Sequence, residues 1–280
     1  MNRVHKLRGA VPVFLLAPLA AAAEVPGEDT GPGIPISRRG TYVQEGEWLL
    51  IPSLGYSDDE DFEYNSGELG FTPAVDELKG HYRASEAALL FAYGVSERLV
   101  VEFGAEGLQA RLQTAENDPS NAPAEVQQSG LGDVKIRADW RWLTESGRRP
   151  EVVPYAQVRV PHDRNELLTG TPDWLMNAGF STSRRFDWGT TTLRVGVEFD
   201  LASASVTDWG EVALEYQKHI TPGVTVLGSL QMLEGDEGSF IAQVEWQASR
   251  NCAVQFSSGF ALTSHAIDWA PEVSFVVRLR

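Results

Sequence analysis

From Gly130 onward apolar and polar residues alternate with a period of two. Val134, Ile136, Ala138, Trp140 and Trp142 fall on one face, and Asp133, Lys135, Arg137, Asp139 and Arg141 on the other. Successive side chains of a β-strand point to opposite sides, so this period predicts a strand with one apolar and one charged face. The pattern returns in Thr191, Leu193, Val195, Val197, Phe199 and Leu201 against Thr192, Arg194, Gly196, Glu198 and Asp200. At the C-terminal end Trp269, Pro271, Val273, Phe275, Val277 and Leu279 oppose Glu272, Ser274, Arg278 and Arg280. The same template predicts strands near 46–56, 84–94, 99–112, 131–142, 150–161, 173–185, 189–201, 209–218, 223–233, 238–248, 252–262 and 269–280. Segments of about ten residues suit tilted membrane strands. The expected fold is all-β, an antiparallel transmembrane β-barrel of about 12 strands.

Two further patterns separate a membrane barrel from a soluble periplasmic barrel or sandwich. Outer-membrane barrels alternate short periplasmic turns with longer outer loops. Here 57–83, 113–130, 162–172 and 202–208 are long or polar, whereas 95–98, 186–188, 219–222 and 249–251 are tight. The rule weakens late in the chain, where the outer connections 234–237 and 263–268 are short. Trp48, Trp140, Trp142, Trp174, Trp188, Trp209, Trp246 and Trp269 lie at or near predicted strand ends. Indole rings favour the membrane–water interface, whereas a sandwich would hold more of them in its core.

The N-terminus supplies an address. Arg3, Lys6 and Arg8 precede an apolar stretch from Ala10 to Ala23, which ends in Ala21-Ala22-Ala23 before Glu24. That order is a secretory signal with an A-x-A cleavage site, and Pro12 and Pro18 disfavour an anchor helix. The expected divisions are a signal peptide at 1–23, a Pro- and Gly-rich flexible periplasmic arm at 24–44 that alternatively plugs the lumen, and a barrel at 45–280. No run of eighteen apolar residues exists elsewhere, which excludes a helical membrane protein. The expected location is the cell outer membrane. Its expected partners are outer-membrane lipid, the barrel-assembly machinery and a small-molecule solute. Removal of the leader takes the basic count from 23 to 20 against 39 acidic residues, a balance that repels nucleic acid. Cys252 is the sole cysteine and makes neither an internal disulfide nor a metal set, and no cofactor is expected.

Several segments carry a family likeness. Ser129-Gly130-Leu131-Gly132-Asp133-Val134 resembles the Gly-Leu-Gly-Asp-Val signature of the MetA-pathway of phenol degradation family. Tyr93-Gly94-Val95-Ser96-Glu97-Arg98-Leu99 is similar to that family's Gly-Leu-Thr-Asp-Arg-Leu turn, and Val158-Arg159-Val160-Pro161 to its strand ending in Leu-Pro. Gly259-Phe260-Ala261-Leu262-Thr263 and Asp268-Trp269 are similar to its closing elements. The likeness runs from about Glu45 onward and departs at Pro161-His162-Asp163-Arg164 and at the C-terminus, where an aromatic residue is missing. It implies an outer-membrane barrel that passes or binds small, often hydrophobic or aromatic, compounds.

The candidate transport residues are the inward charges Lys135, Arg137, Asp139, Arg141, Arg159, Arg194, Glu198 and Asp200. Facing charges inside a barrel set selectivity in an open lumen, or pair and fill a narrow one. Asp58-Asp59-Glu60-Asp61 and Glu234-Gly235-Asp236-Glu237 are expected in outer loops as solvated repulsive segments, since neither has a calcium-loop spacing. The first outer loop holds Phe62, Tyr64, Leu69, Phe71, Val75 and Leu78, apolar enough for a lid over the mouth. A hydrolase would need Ser264, His265 and Asp268 together at a rim, but adjacent strand residues face opposite ways and turns hold such residues for backbone reasons. His81, His162 and His219 lie far apart without a zinc spacing. The expectation is a non-enzymatic channel or binding barrel with no catalytic or metal residues, against a closed structural or adhesin-like surface barrel.

Overall fold

The structure, a computed structural model, describes residues 33–67, 69–75, 78–161, 168, 174–200, 207–233 and 237–280. The expected signal peptide, the first part of the arm, His162 and residues 234–236 of the second acidic cluster lie outside the described residues. The strands are β1 (Ile34–Pro35), β2 (Tyr42–Val43), β3 (Trp48–Tyr64), β4 (Leu78–Ser96), β5 (Leu99–Gln113), β6 (Glu125–Leu131), β7 (Val134–Trp140), β8 (Glu151–Val160), β9 (Leu175–Phe186), β10 (Gly189–Asp200), β11 (Thr207–Thr221), β12 (Val224–Leu233), β13 (Glu237–Ser249), β14 (Cys252–Ala261) and β15 (Trp269–Leu279). β3 pairs with β4 on one side and with β15 on the other, which closes the sheet. β6 and β7 both pair with β5 and share one position, so the thirteen-stranded sheet is a closed antiparallel barrel of twelve strands.

The alternation sorts its residues as the period requires. Ile136, Trp140, Trp142, Leu193, Phe275 and Leu279 are exposed on the outside, whereas Arg137, Asp139, Arg141 and Arg194 are buried inside. Leu54, Leu89, Phe103, Leu214, Leu230, Val244 and Phe256 continue the outer apolar belt. A protein that exposes its large apolar residues and buries its charges is inverted for water and correct for lipid. Seven of the tryptophans named above are exposed: Trp48, Trp140, Trp142, Trp174, Trp188, Trp246 and Trp269; Trp209 has its side chain outside the described residues. Trp48 stacks on Tyr93 at 4.0 Å and Trp188 on Phe186 at 4.8 Å near the short turns, while Tyr56 meets Trp269 at 6.2 Å near the opposite rim. These rings form the two interfacial belts.

Two expected loops are partly strand. β3 and β4 extend to Tyr64 and back to Leu78, which shortens the first outer connection and carries Asp58-Asp59-Glu60-Asp61 into β3. Asp58 accepts hydrogen bonds from Arg83 Nε at 3.0 Å and is 2.8 Å from His81 Nε2, and the ladder to β4 shifts between Asp59 and Phe62. Beyond the lipid belt the outer face has no need to be apolar, so the ladder continues with a polar outer row, while inward Phe62, Tyr64, Leu78, Tyr82 and Ala84 pack together and the lipid-facing period disappears. The same holds for Glu125–Leu131, expected as loop and observed as β6. The Gly-Leu-Gly-Asp segment is the break between β6 and β7: Leu131 pairs with Gly107, Lys135 with Gly104, and Gly132 N–H donates to Glu106 O at 2.8 Å. This one-residue shift is a β-bulge, which bends a strand and raises its twist.

The inverted faces make a direct expectation. Phe256→Lys, on the lipid face in the middle of β14, costs about 2–4 kcal/mol of barrel stability in urea titrations with lipid vesicles. Ser257→Lys, the next residue and lumen-facing, changes it by less than about 1 kcal/mol. Equal losses at the two positions would contradict the assignment of faces.

Candidate functional site in the lumen

The segment expected as a periplasmic arm, or alternatively as a plug of the lumen, lies from Gly33 onward inside the barrel. Ile34 pairs with Val43 and Pro35 with Tyr42, and the turn between them closes through Ile36 N–H to Thr41 O and Thr41 N–H to Arg38 O, both at 3.2 Å. Gly40 takes φ +67° in this turn, a left-handed conformation that glycine adopts without steric cost. Ile34, Ile36 and Val43 are buried against Leu49, Ile51, Ala92, Val100, Val153, Ala253 and Val276 on the inner wall. Near the short turns, therefore, the lumen is lined by an apolar collar, and the hairpin fills it. Burial of each aliphatic side chain contributes about 1.5–3 kcal/mol, which is why these residues leave water for the barrel.

The hairpin tip carries charge to the middle of the lumen. Ser37 N–H donates to Glu102 Oε1 at 2.9 Å, and its hydroxyl bonds the other oxygen of the same carboxylate. Arg38 ion-pairs with Glu272, donates to Ser274, and donates through Nε to Gln255 at 3.0 Å. Arg39 donates to Gln231 and lies 3.6 Å from Glu215 and 3.8 Å from Glu211. The wall donates in return: Arg194 to Ser37 O at 3.1 Å, Arg278 to Tyr42 O at 3.0 Å, Gln255 to Thr41 Oγ1 at 3.1 Å, and Arg141 to Gly33 O. Hydrogen bonds with a charged partner are about twice as strong as neutral ones, so these anchors fix the hairpin's depth and rotation.

Gly94 lets the chain pass from the hairpin into β3. It exchanges hydrogen bonds with the 46–47 backbone, Gly46 N–H to Gly94 O at 2.8 Å and Gly94 N–H to Glu47 O at 3.0 Å. A Cβ there would lie 1.9 Å from Gln44 O, closer than any real contact. Glu47, buried beneath, accepts from Gln44 N–H at 2.9 Å and from Arg278 at 3.2 Å.

Most of the expected lumen charges are paired. Arg137 donates to Asp139 at 2.8 Å, lies 3.4 Å from Glu102, and places its guanidinium 3.8 Å over the Tyr155 ring. Lys135 donates to Glu106 at 2.9 Å, and Arg141 to Glu151 at 2.6 Å and Glu97 O at 3.0 Å. Arg194 lies 3.1 Å from Glu215. Arg159 and Glu198 are half-buried on the inner face, with Arg159 Nε making no hydrogen bond among the described residues; the side chain of Asp200 lies outside them. The sequence analysis puts Glu272 on the inward row without a role; it does not single out Glu102, Glu106, Glu151, Glu211 or Glu215, which lie against the cations of the wall and the hairpin tip, nor Arg38 and Arg39. A signal was present in Ile34-x-Ile36 followed by Arg38-Arg39-Gly40, an alternating stretch leading into a turn.

Two voids remain. One, of about 570 Å³, runs beside the hairpin on the short-turn side and is faced by Gly40, Tyr42, Glu151, Ser183, Arg185, Gln217 and Glu245. The other, of about 230 Å³, is faced by Ser37, Arg38, Arg39, Glu86, Lys135 and Glu272. The hairpin turn therefore stands between them. At the outer mouth Phe62, Tyr64, Leu69, Val75 and Leu78 pack with Leu108, Ala110, Leu112, Val126 and Leu168. Thr72 and Asn121 tie the first two outer loops together through two 2.8 Å hydrogen bonds. Nearby, Tyr64 donates to Asp118 at 2.9 Å. His265 Nε2 lies 3.3 Å from the Glu63 carboxylate, and Asp268 accepts from Glu60 N–H at 3.0 Å, so both are engaged with β3 at the rim.

No protein family and no curated protein sequence matches the chain. Solved structures do. An outer-membrane channel from Pseudomonas putida F1 superposes with a TM-score of 0.59 at 14% identity, covering 88% of this chain and 100% of its own. The translocator domain of the autotransporter NalP from Neisseria meningitidis gives 0.53 at 11% identity, with 87% and 90% covered. The KdgM porin, solved in complex with disordered oligogalacturonate, gives 0.52 at 8% identity, with 82% and 99% covered. The likeness is one of fold. The chain is an outer-membrane β-barrel.

The anchors of the hairpin predict its mobility. In the Arg38→Ala/Arg39→Ala protein, Glu272, Glu211 and Glu215 lose their tip partners, and amide hydrogen exchange over 34–43 speeds up at least about tenfold while the barrel amides keep their protection. Gly94→Ala gives the same local loosening by displacing Gln44. Unchanged exchange in both proteins would show that the tip contacts do not hold the hairpin.

Proposed function

We propose that the barrel is a gated channel for small molecules, with the N-terminal hairpin as its gate. The observation that carries this reading is the manner of attachment. The two strands of the hairpin form a sheet of their own, separate from the barrel sheet, and meet the wall through side-chain contacts and a few backbone carbonyls. Such contacts exchange readily for water, whereas the barrel ladder does not. Voids on both sides of the turn give a displaced hairpin somewhere to move. The fold shared with the Pseudomonas putida channel and the KdgM porin supports the same reading.

The solutes in this proposal are small and hydrophobic or aromatic. Support comes from the apolar collar around Leu49 and Ile51, the apolar cluster at the outer mouth, and the motifs that resemble the MetA-pathway of phenol degradation family. The paired charges Lys135, Arg137, Asp139, Arg141 and Arg194 then hold the shape of the passage, and the half-buried Arg159 and Glu198 are the charges its solutes pass. A second reading, a closed barrel serving as a surface scaffold, is favoured by the same hairpin if it never leaves.

Conductance distinguishes the two. In planar bilayers the wild-type protein opens rarely, and the Arg38→Ala/Arg39→Ala protein opens several-fold more often. A Ser37→Cys/Glu102→Cys pair, oxidised in a Cys252→Ser background, stays shut and reopens on reduction. Liposomes report the solute: benzyl alcohol enters faster than arabinose. Silence from all of these proteins, reduced and oxidised alike, would establish the closed scaffold.

A further inference from the structure

We propose that the void above the hairpin tip is a binding subsite for a small primary amine with an apolar body, and that Glu86 is the acceptor of its ammonium group. The proposal rests on the channel reading and adds a solute class and a residue to it. Each charged neighbour in this void is already engaged. Lys135 donates to Glu106 at 2.9 Å, Arg38 holds Glu272, and Arg39 lies against Glu211 and Glu215. Glu86 differs, as it makes no hydrogen bond or ion pair among the described residues. Its cross-strand partners are Gly55 on β3 and Leu108 on β5, neither of which offers a side-chain donor. Its half-buried side chain faces the void and is the one carboxylate of this lining with no donor or cation bonded to it among the described residues.

The rest of the lining describes the ligand. Ile51, Ala88, Leu90 and Ile241 give the void an apolar side, and Gly104 leaves it open where a larger residue would close it. The volume of about 230 Å³ lies below the roughly 300–1,000 Å³ of drug-sized pockets and suits one ring or a short chain. The cations of the lining, Lys135, Arg38 and Arg39, are held by Glu106, Glu272, Glu211 and Glu215, so the charge left for a ligand is Glu86; a carboxylate would meet it with like charge, and a bare hydrocarbon would leave it unmet. A hard metal ion needs about six oxygen ligands, while the void holds one unengaged carboxylate. An amine on an apolar body satisfies both sides.

The test is equilibrium binding by calorimetry with the folded full chain in detergent micelles. Benzylamine is compared with benzyl alcohol, toluene and benzoate, and folding of every variant is verified by heat-modifiable migration. Benzylamine is expected to bind most tightly and benzoate not at all. Glu86→Gln weakens benzylamine about tenfold or more and leaves benzyl alcohol unchanged. Ala88→Leu, which fills the void, weakens both. If Glu86→Gln does not fold, the head-group order in the wild type and the Ala88→Leu result decide. Equal affinity for benzylamine and toluene, or undiminished benzylamine binding in either variant, overturns the subsite. Binding is read without a membrane, so a protein that binds benzylamine and never conducts refutes the channel alone. One that conducts without preferring benzylamine refutes the subsite alone.

Discussion

In hydrocarbon every backbone N–H and C=O must find its partner inside the protein, because no water is present to supply one. A sheet meets that demand only when it has no edge, so the pairing of β3 with β15 is the contact on which the other features of the molecule depend. Closure turns one face of each strand to lipid and the other to an enclosed space. Phe256 and Phe275 outside, and Arg137 and Arg194 inside, follow from that division. The buried charges would be ruinous in a dry core. Here each lies in a confined polar lumen where Asp139, Glu102, Glu215 and Glu151 stand within contact distance.

The enclosed space is graded along its axis. Near the short turns it is apolar, at Leu49, Ile51, Val100 and Val276; in the middle it is charged; and at the outer mouth it is apolar again, around Leu112 and Leu168. The hairpin matches the first two zones residue for residue. Ile34, Ile36 and Val43 lie in the collar, and Ser37, Arg38 and Arg39 lie among the carboxylates. Complementarity of this kind fixes both how deep the segment sits and which way it faces, since sliding it by two residues would set Arg38 in the place of Ile36 against the aliphatic collar.

The barrel was legible from sequence because lipid imposes a period of two on each crossing segment. Where lipid stops, the signal stops. Glu125–Leu131 and the upper parts of β3 and β4 are strands without a lipid-facing apolar row, so a template built on that row assigns them to loops. The inward placement of Arg137, Asp139, Arg141 and Arg194 was legible for the same reason as the belt. Their partners were harder to see, since Glu102 and Glu215 reach them across strands whose register is set by bulges and turns that sequence alone does not specify. The hairpin was obscured by its composition. Pro35 and Gly40 read as signs of a loose arm, yet in the lumen they shape a turn whose order comes from the surrounding wall.

That origin of order separates the hairpin from its frame. A barrel strand that left its neighbours would expose amides to hydrocarbon, and nothing in the bilayer could replace the lost partners. The hairpin faces a different exchange. Its anchors are arginines, carboxylates and carbonyls around polar voids, and water entering from either side can take each partner's place at a net cost per bond far below its vacuum strength. The apolar collar resists more firmly, because Ile34, Ile36 and Val43 lose their burial if the segment withdraws. A tip that yields to water while the stem stays in its collar is therefore the motion this distribution favours. It would join the void beside the hairpin to the one above it without drawing the hairpin from the barrel.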